Sequence, residues 1–457
     1  MKEQRRRWVS WLWRSLDRTA WGIPHLAWGM ALVALLLRLV ALWVFHGPDL
    51  VSASESGLTA ANWVAGQGYT FDLYGYRAEQ PLQSFMPPLF TAIVAGCLLT
   101  PWPEAALGLV QVLLSALTVL LVYLVASRLA DPVVGIVAAA LSTVYPPFLV
   151  LVDQPTVPVV NAFLLGLFLW FSLRLLQSLE VKWAALAGFA LALCILSRPT
   201  FLGLLGVLIV ALWLVRERHR RPWWRAAILA TVVMALTISP WLVRNWWVQG
   251  RPTSVSTNGG FTFWTSNNPF TTGFCFDVMV DDLEVYSGEA IEVAEGIEIV
   301  EVKPYPLPLE LRASVETLDE IALDRAFYRA SLHYIRENPG RWADVTLQKA
   351  VGLWWFRPNV GLSSGFYEEA WILPYRILYA VVLMLAVAGL GVSFRSWQSY
   401  LILYGVFVYL TVAYVAFNVI TRYRWEIEPY LLIFTALSLV QAGRWLLKRR
   451  AWPCWSR

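Results

Sequence analysis

Long apolar runs separated by short polar breaks fill most of the chain, and the widest break lies between residues 248 and 370. A helix needs about 20 mainly apolar residues to cross the hydrocarbon core of a bilayer. Such runs occur at 24–46, 104–130, 132–150, 156–177, 180–196, 200–216, 225–245, 372–394, 398–420 and 427–447. The pattern predicts an all-α polytopic membrane protein with about ten transmembrane helices. The stretch 87–100 is also apolar, but Pro87-Pro88 opens it and Pro101 and Pro103 close it. It is too short to span, so an interfacial helix is expected there.

The polar breaks have patterns of their own. The stretch 277–301 is acidic, with Asp281, Asp282, Glu284, Glu289, Glu292, Glu295, Glu298 and Glu301. In its second half Ile291, Val293, Ile297 and Ile299 alternate with Glu292 and Glu298, which predicts a short hairpin. Residues 319–337 and 340–356 read as helices divided by Asn338-Pro339-Gly340, with Thr317 as the expected cap and Glu320 three residues on.

Composition agrees with the pattern. Hydrophobic residues make up 58%, charged residues 15%, and the mean hydropathy is +0.55. Soluble proteins average about 45–50% apolar and about 25% charged residues, so a soluble enzyme, a disordered chain and a collagen-like chain are excluded. The 26 tryptophans sit mostly near the ends of apolar runs, as in interfacial aromatic belts. The net charge of +5 comes from clustered basic residues, which read as membrane orientation and not as nucleic-acid binding. Ten spans without 87–100 put Arg5-Arg6-Arg7, Arg128, Arg174, Lys182, Arg216 to Arg225, Arg395 and Lys448-Arg449-Arg450 on the cytoplasmic side.

The expected organisation is then a cytoplasmic basic arm (1–23), followed by an N-terminal transmembrane catalytic module (24–247) with an outer loop at 47–103. A second outer loop (248–370) carries the acidic insert and helices, and C-terminal transmembrane helices end in a basic cytoplasmic tail (371–457). The first span reads as a signal anchor of a multi-pass plasma (inner) membrane protein, with both termini cytoplasmic. Cys97, Cys194, Cys275 and Cys454 form no CxxC pair, and His25, His46, His219 and His333 show no metal-ligand spacing. No metal or cofactor is expected. No P-loop, GxGxxG or GxSxG is present.

The candidate chemistry lies on the side read as outer. Arg198, Arg244, Arg422 and Arg424 sit at outer span ends, against the orientation bias. Singly each can snorkel to headgroups; as a set they read as a site for phosphate, which guanidinium grips in a bidentate way. Arg38 lies inside the first span and reads equally as a snorkelling cation or a functional one. Glu55 begins a short helical stretch with Ser54 as a cap. Its plain reading is a solvated glutamate, and its functional reading a general base on a hydroxyl. Asp153 reads as a second acid or as a cap for the span after Pro155.

At these residues the chain resembles the polyprenyl-phosphate-dependent membrane glycosyltransferases of the GT-C class, above all family 39 with its protein mannosyltransferases and aminoarabinose transferases. The resemblance covers about 24–447. It rests on Glu55 with Ala60-Ala61-Asn62-Trp63-Val64-Ala65-Gly66-Gln67-Gly68-Tyr69, on Pro87-Pro88-Leu89, and on Ser197-Arg198-Pro199-Thr200. It continues in Pro240-Trp241-Leu242-Val243-Arg244-Asn245, Gly250-Arg251, Asn258-Gly259-Gly260 and Ser266-Asn267-Asn268-Pro269. Asn338-Pro339-Gly340 with Lys349, and Arg422-Tyr423-Arg424 with Glu428-Pro429-Tyr430, complete it. The chain departs from the family where Ser52 and Ala53 stand in place of an acidic pair, where Met86 precedes the prolines, and where Asp153 falls early and Pro158 nearer the expected place. Asp49 is the fallback acid.

The resemblance implies juxtamembrane helices in the first loop and an active site open to the outer face. It implies hexosyl or pentosyl transfer, with inversion, from a polyprenyl-phosphate sugar donor to an acceptor hydroxyl on an unknown glycan, lipid or protein. Glu55 would be the base and Asp153 an assistant. Arg198, Arg244, Lys349, Arg422 and Arg424 would hold phosphate, with Arg38, Asn267 and Asn268 as further substrate-binding candidates. Membrane lipids are the other expected partners, and no nucleic acid is. The alternatives are a lipid-linked glycan transporter, which the lack of repeated halves argues against, a non-catalytic glycan-assembly partner, and a glycan polymerase or ligase.

Overall fold

The computed structural model describes residues 19–20, 23–45, 54–73, 77, 79–218, 222–269, 271, 290–294, 297–300, 309–355 and 369–450. The basic arm 1–18, His46, Asp49, Ser52, Ala53 and the acidic stretch 277–289 lie outside the described residues. Two short strands, β1 (Thr19–Ala20) and β2 (Ile23–Pro24), pair antiparallel ahead of the first long helix. A second antiparallel pair, β3 (Ala290–Ala294) and β4 (Ile297–Val300), is the hairpin that the alternation predicts, with Ile291 opposite Ile299 and Glu292 opposite Glu298.

Apart from an isolated bridge between Phe71 and Leu82, the rest of the regular structure among the described residues is helical. The first half contains α1 (His25–Phe45), α2 (Glu55–Val64), α3 (Pro88–Leu98), α4 (Pro103–Leu129), α5 (Pro132–Val144), α6 (Pro146–Val150), α7 (Pro158–Ser178), α8 (Val181–Ser197), α9 (Leu204–Leu214) and α10 (Trp223–Gln249). The second contains α11 (Gly259–Trp264), α12 (Leu309–Thr317), α13 (Glu320–Glu337), α14 (Pro339–Trp354), α15 (Glu369–Ser393), α16 (Trp397–Phe417), α17 (Thr421–Arg424) and α18 (Glu428–Arg450). Proline begins α3 to α7 and α14, where its missing N–H costs nothing because the first turn has no partner for it.

All ten segments expected to span are helical, but not all are long. Among the described residues six stretches are long and apolar enough to cross a membrane: His25–Val44, Pro103–Leu129, Pro158–Ser178, Trp223–Gln249, Leu373–Phe417 and Glu428–Leu447. Pro132–Val144 with Pro146–Asp153 makes a seventh, bent by 55°. The bend falls at Tyr145-Pro146, where proline cannot continue the helix. The Leu373–Phe417 stretch holds two helices that double back. Tyr375 near the start of α15 accepts from the Trp425 indole (3.2 Å), and Tyr414 near the end of α16 donates to Glu426 (2.7 Å). The Arg198-Pro199 break leaves α8 at 17 residues and turns the start of the next segment into a 3-10 turn, Pro199–Gly203. With 11 residues, α3 is far shorter than a span, as expected.

Helices α4, α7, α8 and α10 pack in succession, α1 lies against α4 and α5, and α18 joins α15 to α5. Small residues let the backbones approach closely, the usual solution where lipid supplies no hydrophobic drive between helices. A Cβ on Gly188 would meet the Ala230 carbonyl oxygen at 2.2 Å, and one on Gly389 that of Phe434 at 2.0 Å. Leu32, Leu36, Val40 and Trp43 on α1, Leu236 and Trp247 on α10, and Leu373, Ile377 and Met384 on α15 are exposed. Apolar exposure along whole helices suits lipid as the solvent and makes the chain a multi-pass membrane protein.

A second, smaller core lies outside the bundle. It joins the first loop (Phe71, Leu73, Leu82, Phe85) to the long loop (Phe261, Trp264, Leu311, Val315, Leu323, Phe327). Helix α12 was not expected from the sequence. The cap of α13 is also corrected: Asp319, not Thr317, accepts from the N–H groups of Ile321 (3.1 Å) and Ala322 (2.9 Å). Thr317 ends α12 and donates back to Ala313 (2.7 Å). Aspartate wins because it is the last extended residue before the turn and brings a charged acceptor to the unpaired N–H groups.

Candidate functional site

The two loops meet at one end of the bundle. In α2 the Ser54 hydroxyl accepts the Gly57 N–H (3.1 Å), so the helix starts at Glu55 and holds that carboxylate in its first turn. Downstream, the Tyr69 hydroxyl reaches the carbonyls of Met86 and Pro87 (3.0 Å each), which fixes the Pro87-Pro88 turn. The Glu320 carboxylate ties the loops together. It accepts from the backbone N–H groups of Gln83 (2.7 Å) and Ser84 (2.8 Å), from Gln249 Nε2 (2.7 Å) and from the Thr257 hydroxyl.

These contacts frame a cavity of about 740 Å³. Its walls come from α2 (Glu55), α3 (Phe90), the turn Pro155–Pro158, Arg198-Pro199-Thr200, Asn258-Gly259, α13 (Asp324, Tyr328), α16 (Tyr409, Tyr414, Phe417) and α17 (Arg422, Tyr423). A cavity of that size suits a small polar ligand or one sugar unit with its linkage. Among the described residues no group of three or more His, Cys, Asp and Glu side chains is placed to hold a metal ion.

The charges in the cavity are arranged unequally. Arg198 pairs with Glu426 (2.9 Å) and stacks over the Tyr423 ring, 4.2 Å from its centroid. Glu426 is fully buried and also accepts from Asn161 Nδ2 (2.9 Å) and the Tyr414 hydroxyl (2.7 Å), while Asn161 accepts from Ser197 (2.6 Å). Arg422 is half-buried on the same wall, with no carboxylate within ion-pair distance among the described residues. Opposite in sign, Asp324 accepts the Gly260 N–H at 2.6 Å. Burial pushes its carboxyl up to about 6; the Gly260 N–H opposes the rise, the Glu320 charge adds to it and Arg325 lowers it. Burial, and then the Asp324 charge, pushes the neighbouring Tyr328 phenol up to about 12.

Glu55, Arg198 and Arg422 therefore meet in one chamber. The other expected residues lie elsewhere. Asp153 ends the 3-10 turn Leu151–Asp153, just ahead of the wall residues Pro155–Pro158. It is not the cap of α7, whose capping residue Val157 offers no side-chain bond. Arg38 is wholly buried between α1, α4 and α5 rather than snorkelling. It donates to Ser115 Oγ (2.6 Å) and to the carbonyls of Ala34 (3.2 Å), Ser142 (3.0 Å) and Thr143 (3.2 Å). Arg244 donates to the Gln83 carbonyl and to Asn245 (3.0 Å), and sits over the rings of Tyr69 and Trp241.

Arg424 is buried against Glu428 and over the Tyr379 ring (3.9 Å), and donates to the carbonyls of Leu353 (3.3 Å) and Trp355 (3.1 Å). Lys349 is buried and donates to Asn267 Oδ1 (3.3 Å) and the Ser266 carbonyl (3.4 Å); burial pulls its ammonium down to about 8. Asn267 donates to the carbonyls of Phe263 (2.8 Å) and Phe417 (3.2 Å), and Asn268 to that of Trp264 (2.9 Å).

Sequence reasoning missed four residues of this region: Glu320, Asp324, Tyr328 and Glu426. A signal existed for three. Glu320, Asp324 and Tyr328 recur every four residues, so they share one face of α13. For Glu426 the signal was an acid set two residues after Arg424 and two before Glu428, beside the cationic pair Arg422 and Arg424.

Residues 83–246 match the family described as dolichyl-phosphate-mannose-protein mannosyltransferase. No curated protein matches the chain. The archaeal oligosaccharyltransferase AglB from Archaeoglobus fulgidus, in complex with an inhibitory peptide and a dolichol-phosphate, superposes with a TM-score of 0.51 at 14% identity, over 95% of this chain and 52% of that one. The same enzyme tethered to an acceptor peptide containing the NVT sequon gives 0.51 at 13% identity, over 93% and 50%. ArnT from Cupriavidus metallidurans bound to undecaprenyl phosphate gives 0.38 at 16% identity, over 91% and 78%. The chain spans about half the length of the oligosaccharyltransferase, and at these identities the likeness is one of fold. The family match runs from the first loop to α10, and the likeness of fold extends along nearly the whole chain.

Proposed function

We propose that the protein is a membrane glycosyltransferase that moves one sugar from a polyprenyl-phosphate donor to an acceptor hydroxyl, with inversion, at the outer face of the plasma membrane. The observation that carries this reading is the single chamber lined by Glu55, Arg198 and Arg422 at the loop end of the bundle. A donor tail would run in lipid beside the helices, with its phosphate at the level of the arginines. The GT-C fold, and the dolichol-phosphate held by the archaeal oligosaccharyltransferase of the same fold, support a polyprenyl-phosphate ligand.

In the proposed reaction the acceptor hydroxyl loses its proton to Glu55 as its oxygen bonds to the anomeric carbon. The bond from that carbon to the phosphate oxygen breaks, and the electron pair leaves with polyprenyl phosphate. Phosphate leaves readily, so charge neutralisation matters more than a strong acid. We assign this role to Arg422, which lines the chamber with no carboxylate within ion-pair distance among the described residues. Arg198 shares its charge with Glu426 and holds the wall as well as the phosphate. We assign Arg244, Arg424, Lys349 and Arg38 to holding the walls and the bundle, because their donors are occupied by carbonyls, an amide or a carboxylate. Asp153 remains in our reading a residue of the adjoining turn that orients the acceptor.

The test is transfer by lipid-reconstituted protein supplied with a panel of polyprenyl-phosphate sugars and membrane extract as acceptor. Wild type is expected to transfer one of them. Glu55→Gln is expected to lose about 100-fold or more in turnover, the usual contribution of a general base. Transfer that survives Glu55→Gln would remove Glu55 from the role, and Asp324 would be the next acid in the chamber. Polyprenyl phosphate binding without transfer from any donor would favour a non-catalytic assembly partner.

A further inference from the structure

The end of the bundle away from the cavity carries a cluster of cations and indole rings. Arg128 lies in the last turn of α4, Trp170 and Arg174 near the end of α7, and Lys182-Trp183 at the start of α8. The Arg128 guanidinium stands 5.6 Å from the Trp170 ring centroid. Arg174 lies between two indoles, 5.8 Å from Trp170 and 4.7 Å from Trp183. Lys182 lies 5.2 Å from Trp183, which Phe171 stacks against at 6.1 Å.

Two guanidinium groups from different helices thus converge on one indole. Like charges this close repel, and they need an anion or a strong stacking surface to hold them. The neighbouring cations have acids: Lys182 pairs with Glu180 (2.9 Å) and Arg444 with Asp131 (2.8 Å). Among the described residues neither Arg128 nor Arg174 has a carboxylate within ion-pair distance, and neither side chain makes a hydrogen bond. A snorkelling arginine would spread toward solvent, away from a like charge. Here the two guanidinium groups are held beside indole rings, and Arg128 is exposed, so their N–H groups are available to grip a phosphate with paired bonds.

We propose that Arg128 and Arg174, framed by Trp170 and Trp183, form a binding site for the phosphate of a net-negative phospholipid headgroup. The site is distinct from the cavity at the other end of the bundle and does not depend on the proposed reaction. Lipid is the source rather than free phosphate because Arg128 ends a helix of membrane length and Trp170 lies one turn inward from Arg174 on another. The acyl chains would then follow the apolar flanks of α4 and α7.

The test uses full-length protein, stripped of lipid in a neutral detergent and titrated with short-chain phosphatidylglycerol, with short-chain phosphatidylcholine and with inorganic phosphate. Bound adducts are counted by native mass spectrometry. Phosphatidylglycerol is expected to bind about tenfold or more tightly than phosphatidylcholine, as two cations at a membrane surface should require. Arg128→Gln with Arg174→Gln is expected to abolish that preference and leave phosphatidylcholine binding unchanged. Arg128→Lys with Arg174→Lys should keep part of the preference and lose the rest, because an ammonium cannot make the paired bonds. Equal binding of the two lipids by wild type overturns the proposal whether or not the variants fold. So does a preference that survives in the folded glutamine variant. Inorganic phosphate that displaces phosphatidylglycerol at equal concentration overturns the lipid source and leaves a soluble-phosphate site.

Discussion

Glu320 accepts the backbone N–H of Ser84 at 2.8 Å, and through this bond the long loop fixes the segment that leads into the Pro87-Pro88 turn. The same carboxylate accepts from Gln83, Gln249 and Thr257, so one buried side chain joins the first loop, the end of α10 and the approach to α11. Removing it strands several buried donors, each costing about 1–3 kcal/mol. Glu320→Ala is expected to lower the melting temperature in detergent and to expose the first loop to limited proteolysis near residues 79–87. Proteolysis unchanged from wild type would show that the apolar contacts of the second core hold the loops without it.

The Asp324 carboxyl gives a pH signature with a fixed sign. Its folded value, about 6, lies above the ordinary 3.8, so between those values the folded state binds more protons than the unfolded chain. Stability from this group is therefore present below about pH 4 and is lost as pH rises through about 6. Asp324→Asn keeps an oxygen to accept the Gly260 N–H and removes the charge. The variant is expected to melt higher than wild type at pH 7, with the gap closing as pH falls to 4. A gap that does not change with pH would mean that Asp324 is not held in this environment.

Asn258-Gly259-Gly260 builds that environment, and its glycines are not interchangeable with alanine. A Cβ on Gly260 would meet the Asp324 carbonyl oxygen at 2.0 Å, a backbone atom that cannot swing aside. Gly260→Ala is expected to push α11 off α13, reduce transfer and lower the melting temperature. Gly206→Ala, on α9 with nothing within 4 Å of the added atom, is expected to leave both unchanged. Equal behaviour of the two variants in the melting assay would sink the argument.

How far the sequence disclosed this arrangement depends on the distance over which each feature is determined. The helices were legible because about 20 apolar residues in a row state their environment locally. So were the short helix before Pro101, the cap at Ser54 and the hairpin at 290–300, each set by neighbours. The partner of a charge is not local. Arg198, Arg244, Arg422 and Arg424 looked alike as outer arginines, yet Glu426 takes the first, the Gln83 carbonyl the second and Glu428 the last, while Arg422 has no carboxylate within ion-pair distance among the described residues. Asp324 read as one more polar residue of an amphipathic helix, because only the folded long loop brings it to the cavity.

Arg198 and Arg422 should therefore fail in different ways when removed. Losing Arg198 leaves Glu426 buried with only neutral donors, Asn161 and Tyr414, and breaking one side of a buried pair costs about 3–5 kcal/mol. Arg198→Ala is expected to lower stability sharply, and Glu426→Gln in the same chain to restore most of it, giving a large coupling energy in a double-mutant cycle. Arg422→Ala strands no buried acid, so its melting temperature should stay near that of wild type. Its effect should appear in the KM for the polyprenyl-phosphate donor, raised about tenfold or more as a charge-assisted bond to phosphate is lost. The same split is expected for Arg422→Lys at a smaller size, since an ammonium keeps the charge and loses the second bond. An unchanged donor KM in a folded Arg422→Ala protein would take the phosphate away from this residue and return it to Arg198.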